Sequence, residues 1–343
     1  MSVISRRSFL QLAGLSLGAA AFAPPPPEAL ATEAMLARVT ARTVAVRARP
    51  DEAALELARL ARDTLVVVEE EIQSATGPQG NPFWFRIRQG FVHVGDMQPV
   101  RNDLNEVAAA VPSEGLLVEV TVPFTQTRAK PEAEAAPLYR LYYGATFWAV
   151  EGVEDASGGA WYALLDDRLY TRYYVRAEHL RPIWATDLSP VAPDVPLEAK
   201  RIEVDLASQK LTAFENERAV FTTLISGGRL RSDPQPGKGH SFTPIGEFHV
   251  NQKVPSRHMG DARLTADLFA NEQPGVPWVS YFTYSGIAFH GAYWHNDFGR
   301  RRSVGCINMR PAEARWIYRW TAPAFPLMPF SPHATGTRVI VVE

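Results

Sequence analysis

The heptapeptide Ser303-Val304-Gly305-Cys306-Ile307-Asn308-Met309 contains the only cysteine of a 343-residue chain. One cysteine excludes an internal disulfide. A lone cysteine is most often a small buried apolar side chain, so its neighbours must decide its role. Here a glycine precedes it, which permits a sharp backbone turn and exposes N–H groups that can stabilise an oxyanion. The local pattern therefore favours a nucleophilic thiol.

Two further strings lie upstream of the heptapeptide, Thr243-Pro244-Ile245-Gly246-Glu247-Phe248 and Phe289-His290-Gly291. In this order, the three strings resemble the catalytic domain of L,D-transpeptidases. That family has a Thr-Pro-x-Gly-x-Phe strand, a His-Gly pair and then a Ser-His-Gly-Cys-x-Asn/Arg signature. The resemblance spans residues 200–343 and implies a β-sandwich domain with a lid excursion and one or two short helices.

The resemblance also implies a reaction, that of a cysteine acyltransferase acting on peptidoglycan stem peptides. The Cys306 thiolate would attack a tetrapeptide stem, release its terminal D-Ala and pass the acyl group to an amine of a neighbouring stem. A thiol needs a base to become a thiolate, and His290 is the candidate. The resemblance implies no cofactor and no metal, and it implies acylation by carbapenem-type inhibitors.

Residues around Cys306 and His290 are expected to support them. The backbone of Gly305 and the N–H of Cys306 are expected in the oxyanion hole, and Ser303 is expected to orient His290 or to line the acyl site. The residues expected to contact substrate are Gly291, Asn308, Arg302, Tyr281 and Trp278. Val304 stands where the family has a histidine, which leaves Cys306 and His290 as the aligned nucleophile and base.

The surroundings of the motifs carry three further expectations. The long excursion between Phe248 and Phe289 is predicted to be a flap that covers substrate. The run 300–302 is either a solvated loop or a cationic field that favours the thiolate and binds a stem carboxylate. His295 is predicted to be a loop histidine satisfied by its neighbours.

Periodicity predicts the elements of the same domain. Alternating stretches from residue 200 to 225 indicate a β-meander. A helix is predicted over Pro311–Trp320, since proline suits the first helical position and Ala314, Trp316, Ile317 and Trp320 form an apolar stripe. The chain ends in a strand over 337–342.

The segments 38–101 and 116–184 share one order of strand-like runs and turns. They resemble bacterial SH3-like modules and predict two small β-barrels. The apolar residues of segment 51–60 fit neither the helical nor the strand period cleanly, so the sequence leaves its secondary structure unassigned. The proline-spaced residues 185–199 predict a semi-rigid linker, so a fragment beginning at Pro196 is expected to keep the chemistry.

Residues 1–31 are predicted to be a signal peptide. Arg6 and Arg7 precede a short apolar run, in a pattern that resembles the twin-arginine export signal, and a general secretory signal is the alternative. The mature protein is then exported to the periplasm, cell wall or extracellular space, with no membrane span after signal removal.

Composition bounds the class of protein. Hydrophobic residues make up 46% of the chain and charged residues 21%, which is a globular composition. Thirty-five basic against 37 acidic residues give a net charge of −2, which does not suit a nucleic-acid partner.

Three other functions fit parts of the pattern. A zinc wall peptidase would use His290, His295, Asp297 and Cys306 as ligands, although no H-E-x-x-H or C-x-x-C string supports it. An L,D-carboxypeptidase would share the acyl-enzyme, and an inactive wall-binding protein would keep only the scaffold. The sequence leaves the third stem residue, the ligand of the N-terminal modules and the oligomeric state open.

Overall fold

The structure is a computed structural model that describes residues 35–230, 242–323 and 336–343. The predicted signal peptide lies outside the described residues. Within these ranges, no helix is long and apolar enough to cross a membrane.

The first module occupies residues 36–100 and contains eight strands in two sheets. The strands are β1 (Leu36–Val39), β2 (Thr43–Arg47), β3 (Glu56–Ala61), β4 (Leu65–Val67), β5 (Glu70–Gln73), β6 (Phe83–Ile87), β7 (Gly90–His93) and β8 (Met97–Val100). The sheet orders are β4-β1-β8 and β3-β2-β7-β6-β5. Alternate valines of β2 and the aromatic β6 fill the core between them. Of the segment 51–60, whose period is ambiguous in sequence, the second half belongs to strand β3 and residues 51–55 form a turn before it.

The second module occupies residues 116–183 and forms one seven-stranded sheet. Its strands are β9 (Leu116–Val120), β10 (Phe124–Arg128), β11 (Pro137–Tyr142), β12 (Thr146–Glu154), β13 (Ala160–Leu165), β14 (Arg172–Arg176) and β15 (Leu180–Ile183), in the order β11-β10-β14-β13-β12-β9-β15. Both modules end alike, with a 3-10 turn (Val94–Asp96 or Ala177–His179) before the last strand. The SH3-like interpretation of the two modules stays a prediction.

The third unit contains two sheets and one helix. One sheet has the order β18-β17-β16-β24-β19 and the other β20-β21-β22-β23. Their strands are β16 (Lys200–Asp205), β17 (Lys210–Glu215), β18 (Arg218–Leu224), β19 (Gly246–His249), β20 (Gln252–Gly260), β21 (Glu272–Tyr281), β22 (Ala288–Gly291), β23 (Ile307–Met309) and β24 (Arg338–Val342). The prediction of a mainly β protein with few helices is confirmed.

Helix α1 (Pro311–Trp320) has the bounds that the sequence predicted, with proline in its first turn. Ala314, Ile317 and Trp320 are buried in the core between the two sheets. Trp316 is only partly buried and stacks on Phe221 with ring centroids 4.4 Å apart. The helix therefore closes one side of the domain that carries the cysteine.

The predicted linker is packed onto this domain. Two short 3-10 turns, Ala185–Leu188 and Leu197–Ala199, flank it. The ammonium group of Lys200 donates to the carbonyls of Ala192 and Trp320 at 2.8 and 3.2 Å. Residues 185–199 thus do not act as a spacer that holds two domains apart.

The N-terminal modules share buried contacts with the third unit. Leu117 and Ile183 of the second module belong to the same core as helix α1. Arg38 of the first module is fully buried, pairs with Asp63 at 2.8 Å and donates to the carbonyl of Tyr293 at 3.0 Å. An uncompensated buried charge is costly, so this guanidinium ties the three units together through its partners.

The excursion predicted to be a flap is the hairpin β20–β21, and it rests on the second module. The carbonyl of Pro255 accepts from the Thr146 hydroxyl at 2.7 Å. Both ring nitrogens of buried His258 lie 2.8 Å from carboxylate oxygens, one from Asp166 and one from Glu272. The hairpin is thus anchored on the second module, and Val254, Met259 and Tyr281 pack in the same cluster as Cys306. That it covers substrate stays a prediction.

Candidate active site

Strand register places Cys306 and His290 on one face of a sheet. Parallel strands β22 and β23 pair Phe289 with Ile307 and His290 with Asn308. Continuing that register by one residue places Ala288 beside Cys306. Phe289 and Ile307 point into the main core, so the residues on either side of them share the opposite face. From a strand spacing of ~4.8 Å and a rise of ~3.3 Å per residue, the Cα atoms of Cys306 and His290 are about 8 Å apart.

The turn before Cys306 is held by hydroxyl groups. The Ser303 hydroxyl donates to the carbonyl of Cys306 and accepts from the N–H of Gly305 at 3.0 Å. The Thr243 hydroxyl donates to the carbonyl of Gly305 at 2.8 Å. Gly305 has a φ of +132°, a conformation that L side chains rarely adopt, so glycine is needed there.

Two predicted roles are corrected by these bonds. The N–H of Gly305 is used by Ser303 and is not free for an oxyanion. The N–H of Cys306, the second donor expected in the oxyanion hole, stays a prediction. The Ser303 hydroxyl is engaged by the cysteine loop, and it therefore shapes that loop and does not orient His290.

The sulfur of Cys306 lies in a mostly apolar setting. Its side chain packs against a cluster of Val276, Val279 and Ala288. Burial raises the pKa of the Cys306 thiol, and a hydrogen bond from the backbone of Ala288 acts against that effect. Sγ also lies 3.9 Å from the carbonyl oxygen of Gly286. The resting group is a neutral thiol at neutral pH, because the thiolate is disfavoured by loss of water.

His290 is a buried, neutral histidine with one defined tautomer. It is 2% exposed, and its Nδ1–H donates to the carbonyl of Gly291 at 3.1 Å. That bond leaves the lone pair on Nε2. Burial lowers the pKa of His290 to about 4, so the imidazole is neutral at neutral pH and can accept a proton.

His295 holds Asn308 next to His290. Its Nδ1 accepts from the N–H of Asp297 at 3.1 Å, and its Nε2 lies 2.9 Å from the side-chain amide of Asn308. Burial lowers the pKa of His295 to about 3, so the ring is neutral at neutral pH. The contact of its Nε2 with the side-chain nitrogen of Asn308 holds that side chain in place.

The first module supports the loop that carries His295. The side-chain amide of Asn81 donates to Asp297 Oδ1 at 3.0 Å and to the carbonyl of Asn296 at 3.2 Å. The N–H of Asn296 donates to the carbonyl of Gly95 at 2.9 Å. A module far away in sequence thus fixes residues that touch the catalytic strands.

The predicted substrate contacts fall into two groups. Tyr281 pairs with Ala288 and so shares the row of Cys306, and burial raises the pKa of its phenol. Trp278 is 1% exposed and lies in the main core, with its ring 5.5 Å from that of Tyr318. The expectation that Trp278 contacts substrate beside Cys306 is corrected, because it belongs to the opposite face. Gly291 also serves close packing, because a Cβ added there would lie only 2.8 Å from Pro277.

The arginine run is held by ion pairs. Arg302 contacts Asp96 of the first module at 2.9 Å and Asp297 at 3.4 Å. Arg301 donates to the carbonyl of Gly228 at 3.0 Å, and Arg300 lies 3.6 Å from Asp297. The structure therefore supports the loop reading of this run, and substrate binding by Arg302 stays a prediction.

The residues suggested as zinc ligands have other partners. Both ring nitrogens of His295 are hydrogen-bonded, and Asp297 accepts from Asn81. Across the described ranges, no group of three or more histidine, cysteine or acidic side chains is placed to hold a metal ion.

Sequence reasoning missed several members of the site. Thr243 lies in one of the quoted motifs, yet its bond to Gly305 has no signal in composition or spacing. The N–H of Ala288 is backbone and leaves no trace in residue type. The sequence shows only that His295 lies close to the His-Gly pair and the cysteine motif, and it does not show the contact with Asn308.

Comparisons with known proteins agree with the motifs. The profile of the L,D-transpeptidase catalytic domain family, YkuD, matches residues 199–341. No curated protein matches the chain.

Three similar solved structures are L,D-transpeptidases. One from Xylanimonas cellulosilytica is 26% identical, with 42% of this chain and 60% of that chain covered and a TM-score of 0.30. L,D-transpeptidase 3 from Mycobacterium tuberculosis, in complex with a faropenem-derived adduct, is 21% identical with 42% and 60% covered and a TM-score of 0.31. One from Enterococcus faecium is 22% identical, with 42% and 50% covered and a TM-score of 0.30. With the profile match and the three motifs, residues 199–341 are identified as an L,D-transpeptidase catalytic domain.

Proposed function

We propose that this protein is an exported peptidoglycan L,D-transpeptidase in which Cys306 is the nucleophile and His290 the general base. The observation that carries the proposal is the shared face of β22 and β23. The pairing is supported by the register of the two strands, by the neutral state of the imidazole, and by the bond from its Nδ1–H to Gly291, which leaves the lone pair on Nε2. Acyl transfer by cysteine requires that pairing.

The reaction would begin with proton transfer from the Cys306 thiol to Nε2 of His290. The sulfur attacks the carbonyl that precedes the terminal D-Ala of a tetrapeptide stem, and the N–H of Cys306 donates to the resulting oxyanion. The intermediate collapses as the C–N bond breaks, and the imidazolium gives its proton to the departing amine. A thioester remains on Cys306.

A neighbouring stem then supplies an amine. His290 takes a proton from that amine as its nitrogen attacks the thioester, and the C–S bond breaks to restore the thiol. Water in place of the amine gives the hydrolysed tripeptide, so a carboxypeptidase would use the same residues. Tyr281 lies in the row of Cys306 and forms a wall for the stem.

Three observations support a working site over an inactive scaffold. The cysteine loop is held by Ser303 and Thr243, His290 has one defined tautomer, and Val304, where the family has histidine, is 63% exposed. A solvent-facing position on the loop tolerates a change of residue without moving the thiol.

The test is incubation of the purified protein with a carbapenem, followed by intact mass and peptide mapping. We expect one adduct on Cys306 that forms in the presence of EDTA and is absent from Cys306→Ala. Tetrapeptide turnover, with products separated by mass spectrometry, then distinguishes a cross-linked dimer from a tripeptide. Turnover that persists in Cys306→Ala would overturn the proposal.

A further inference from the structure

A cleft outside the catalytic face lies where the three units meet. Its volume is about 620 Å³, within the range of roughly 300–1,000 Å³ of small-ligand sites, which favour domain junctions. The first module contributes Glu71 and the second contributes Tyr143. The catalytic domain contributes Trp278 and one face of α1, with Arg315 and Arg319 one helical turn apart. Neither Cys306 nor His290 lines this cleft.

Two donors of the cleft lining have no acceptor among the residues that the structure describes. The indole Nε1 of Trp278 is buried and unpaired, and its residue is only 1% exposed. The Nε of Arg315 is also buried and unpaired, although the rest of that guanidinium contacts Asp187 at 3.0 Å. A buried donor without a partner costs roughly 1–3 kcal/mol, so two of them in one cleft indicate a missing acceptor.

The backbone conformation of Trp278 also indicates a ligand site. It has a φ of +61°, which is costly for a bulky residue. Strain of this kind persists only where surrounding structure enforces it, and it concentrates at ligand sites. The strained residue is the same one whose indole lacks an acceptor.

The charges of the cleft define the ligand. Arg319 donates through Nε to the carbonyl of Ser189 at 2.8 Å, and among the described residues it has no carboxylate partner. Glu71, on the first module's side, has no cationic partner in the same ranges and is exposed. One free cation and one free anion on opposing units complement a ligand that carries a carboxylate and an ammonium group. Tyr143 and Phe298 supply apolar surface between them.

We propose that this cleft is a second binding site, for a short peptide whose free C-terminal carboxylate lies against Trp278, Arg315 and Arg319 and whose amine faces Glu71. A planar guanidinium and an indole N–H are matched to the two oxygens of a carboxylate. The inference rests on the proposed function only in the choice of stem tetrapeptide as the probe. Binding there, away from Cys306, would leave the peptide intact.

The experiment uses the full chain carrying Cys306→Ala, labelled with nitrogen-15, and follows indole N–H signals during titration with tetrapeptide. Trp294 reports the catalytic face, because its ring lies 5.7 Å from that of His290. Trp278 reports the second cleft. Signals are assigned with Trp294→Phe and Trp278→Phe.

We expect the tetrapeptide to shift both indoles with separate dissociation constants. Arg319→Gln, or amidation of the peptide's terminus, should weaken the constant read at Trp278 by about tenfold or more, as expected for a charged hydrogen bond. The constant read at Trp294 should not change with Arg319→Gln. The control Arg172→Gln removes an exposed arginine of the second module and should alter neither.

Three results would overturn the inference. They are a shift at Trp294 without one at Trp278, an unchanged Trp278 constant in Arg319→Gln, and inorganic phosphate or acetate acting as strongly as the peptide. Carbapenem acylation of the wild type and of Arg319→Gln is measured in parallel and should be equal. An unreactive wild type that still shows the Trp278 shift would remove the proposed function and leave the cleft intact.

Discussion

Removal of the two N-terminal modules should destroy the catalytic domain's stability. Sequence alone predicted that a fragment beginning at Pro196 keeps the chemistry, because all motifs lie beyond it. The structure predicts the opposite outcome. Leu117 and Ile183 complete the core beneath helix α1, and Tyr293 of the catalytic domain is buried in the second module's core.

The size of the effect follows from these three side chains. Burial of a large apolar side chain contributes about 1.5–3 kcal/mol, so losing Leu117 and Ile183 and exposing Tyr293 costs about 5–9 kcal/mol. Small domains are stable by only about 5–15 kcal/mol in total. Loss of Asp166 also leaves buried His258 without one of its two partners. The fragment should therefore be largely unfolded at room temperature.

The assay compares the fragment 196–343 with the chain 35–343 by thermal unfolding in circular dichroism and by the rate of carbapenem acylation. We expect no cooperative transition and slow or absent acylation in the fragment. Glu151→Gln in the longer chain serves as control, since it breaks only an exposed pair with Arg172. A fragment that melts within a few degrees of the longer chain and reacts at the same rate would refute the reasoning.

Three other outcomes can be measured on the whole protein. His290→Ala should slow acylation of Cys306 by about a hundredfold or more in stopped-flow, while His295→Ala should lower kcat with little change in KM, because it only frees an amide that it positions. Burial holds the pKa of His290 at about 4 and of His295 at about 3, so the unfolded chain takes up protons first and stability should fall from about pH 6.5 to 4. The pKa of His258 is raised by two carboxylates against the effect of burial, so this residue opposes the loss of stability at low pH. Urea unfolding midpoints that do not change with pH would contradict the predicted net loss. Arg302→Gln breaks partly exposed ion pairs, so it should cost about 0.5–1 kcal/mol and leave the pH dependence of Cys306 alkylation unchanged.

Local pattern was enough for the elements that bury one face. Helix α1 was predictable to the residue, because Pro311 marks its start and the apolar stripe marks its buried side. The assignment of Cys306 as nucleophile and His290 as base rests on three motifs that agree in order, and it stays a prediction. The alternation of side chains between the two faces of a strand also contains information that the motifs do not. Tyr281 and Val279 share a face, which favours the opposite face for Trp278, although Val276 packs beside Val279 and so breaks the two-residue period.

The remaining features depend on contacts between distant segments. The prolines of residues 185–199 are compatible with an extended spacer and with a docked segment, and only Lys200 shows which one forms. Gly305 directly precedes Cys306, so the sequence suggests that its N–H could bind an oxyanion. In the structure this N–H donates to the hydroxyl of Ser303 instead. Similarly, nothing near Arg302 in the chain indicates that Asp96 would reach it. Long-range partners of this kind leave no local period to detect.

The protonation states of the resting site have a consequence for the lone thiol. Burial raises the pKa of Cys306 and lowers that of His290, so neither group is charged before substrate arrives. The thiolate is the form that oxidants and alkylating agents attack, so a neutral thiol reacts slowly with them. Under the proposed mechanism, proton transfer to Nε2 becomes favourable only when a carbonyl and the N–H of Cys306 share the developing negative charge. We therefore propose that the presence of an acyl donor activates the sulfur, and that the thiol is protected at rest.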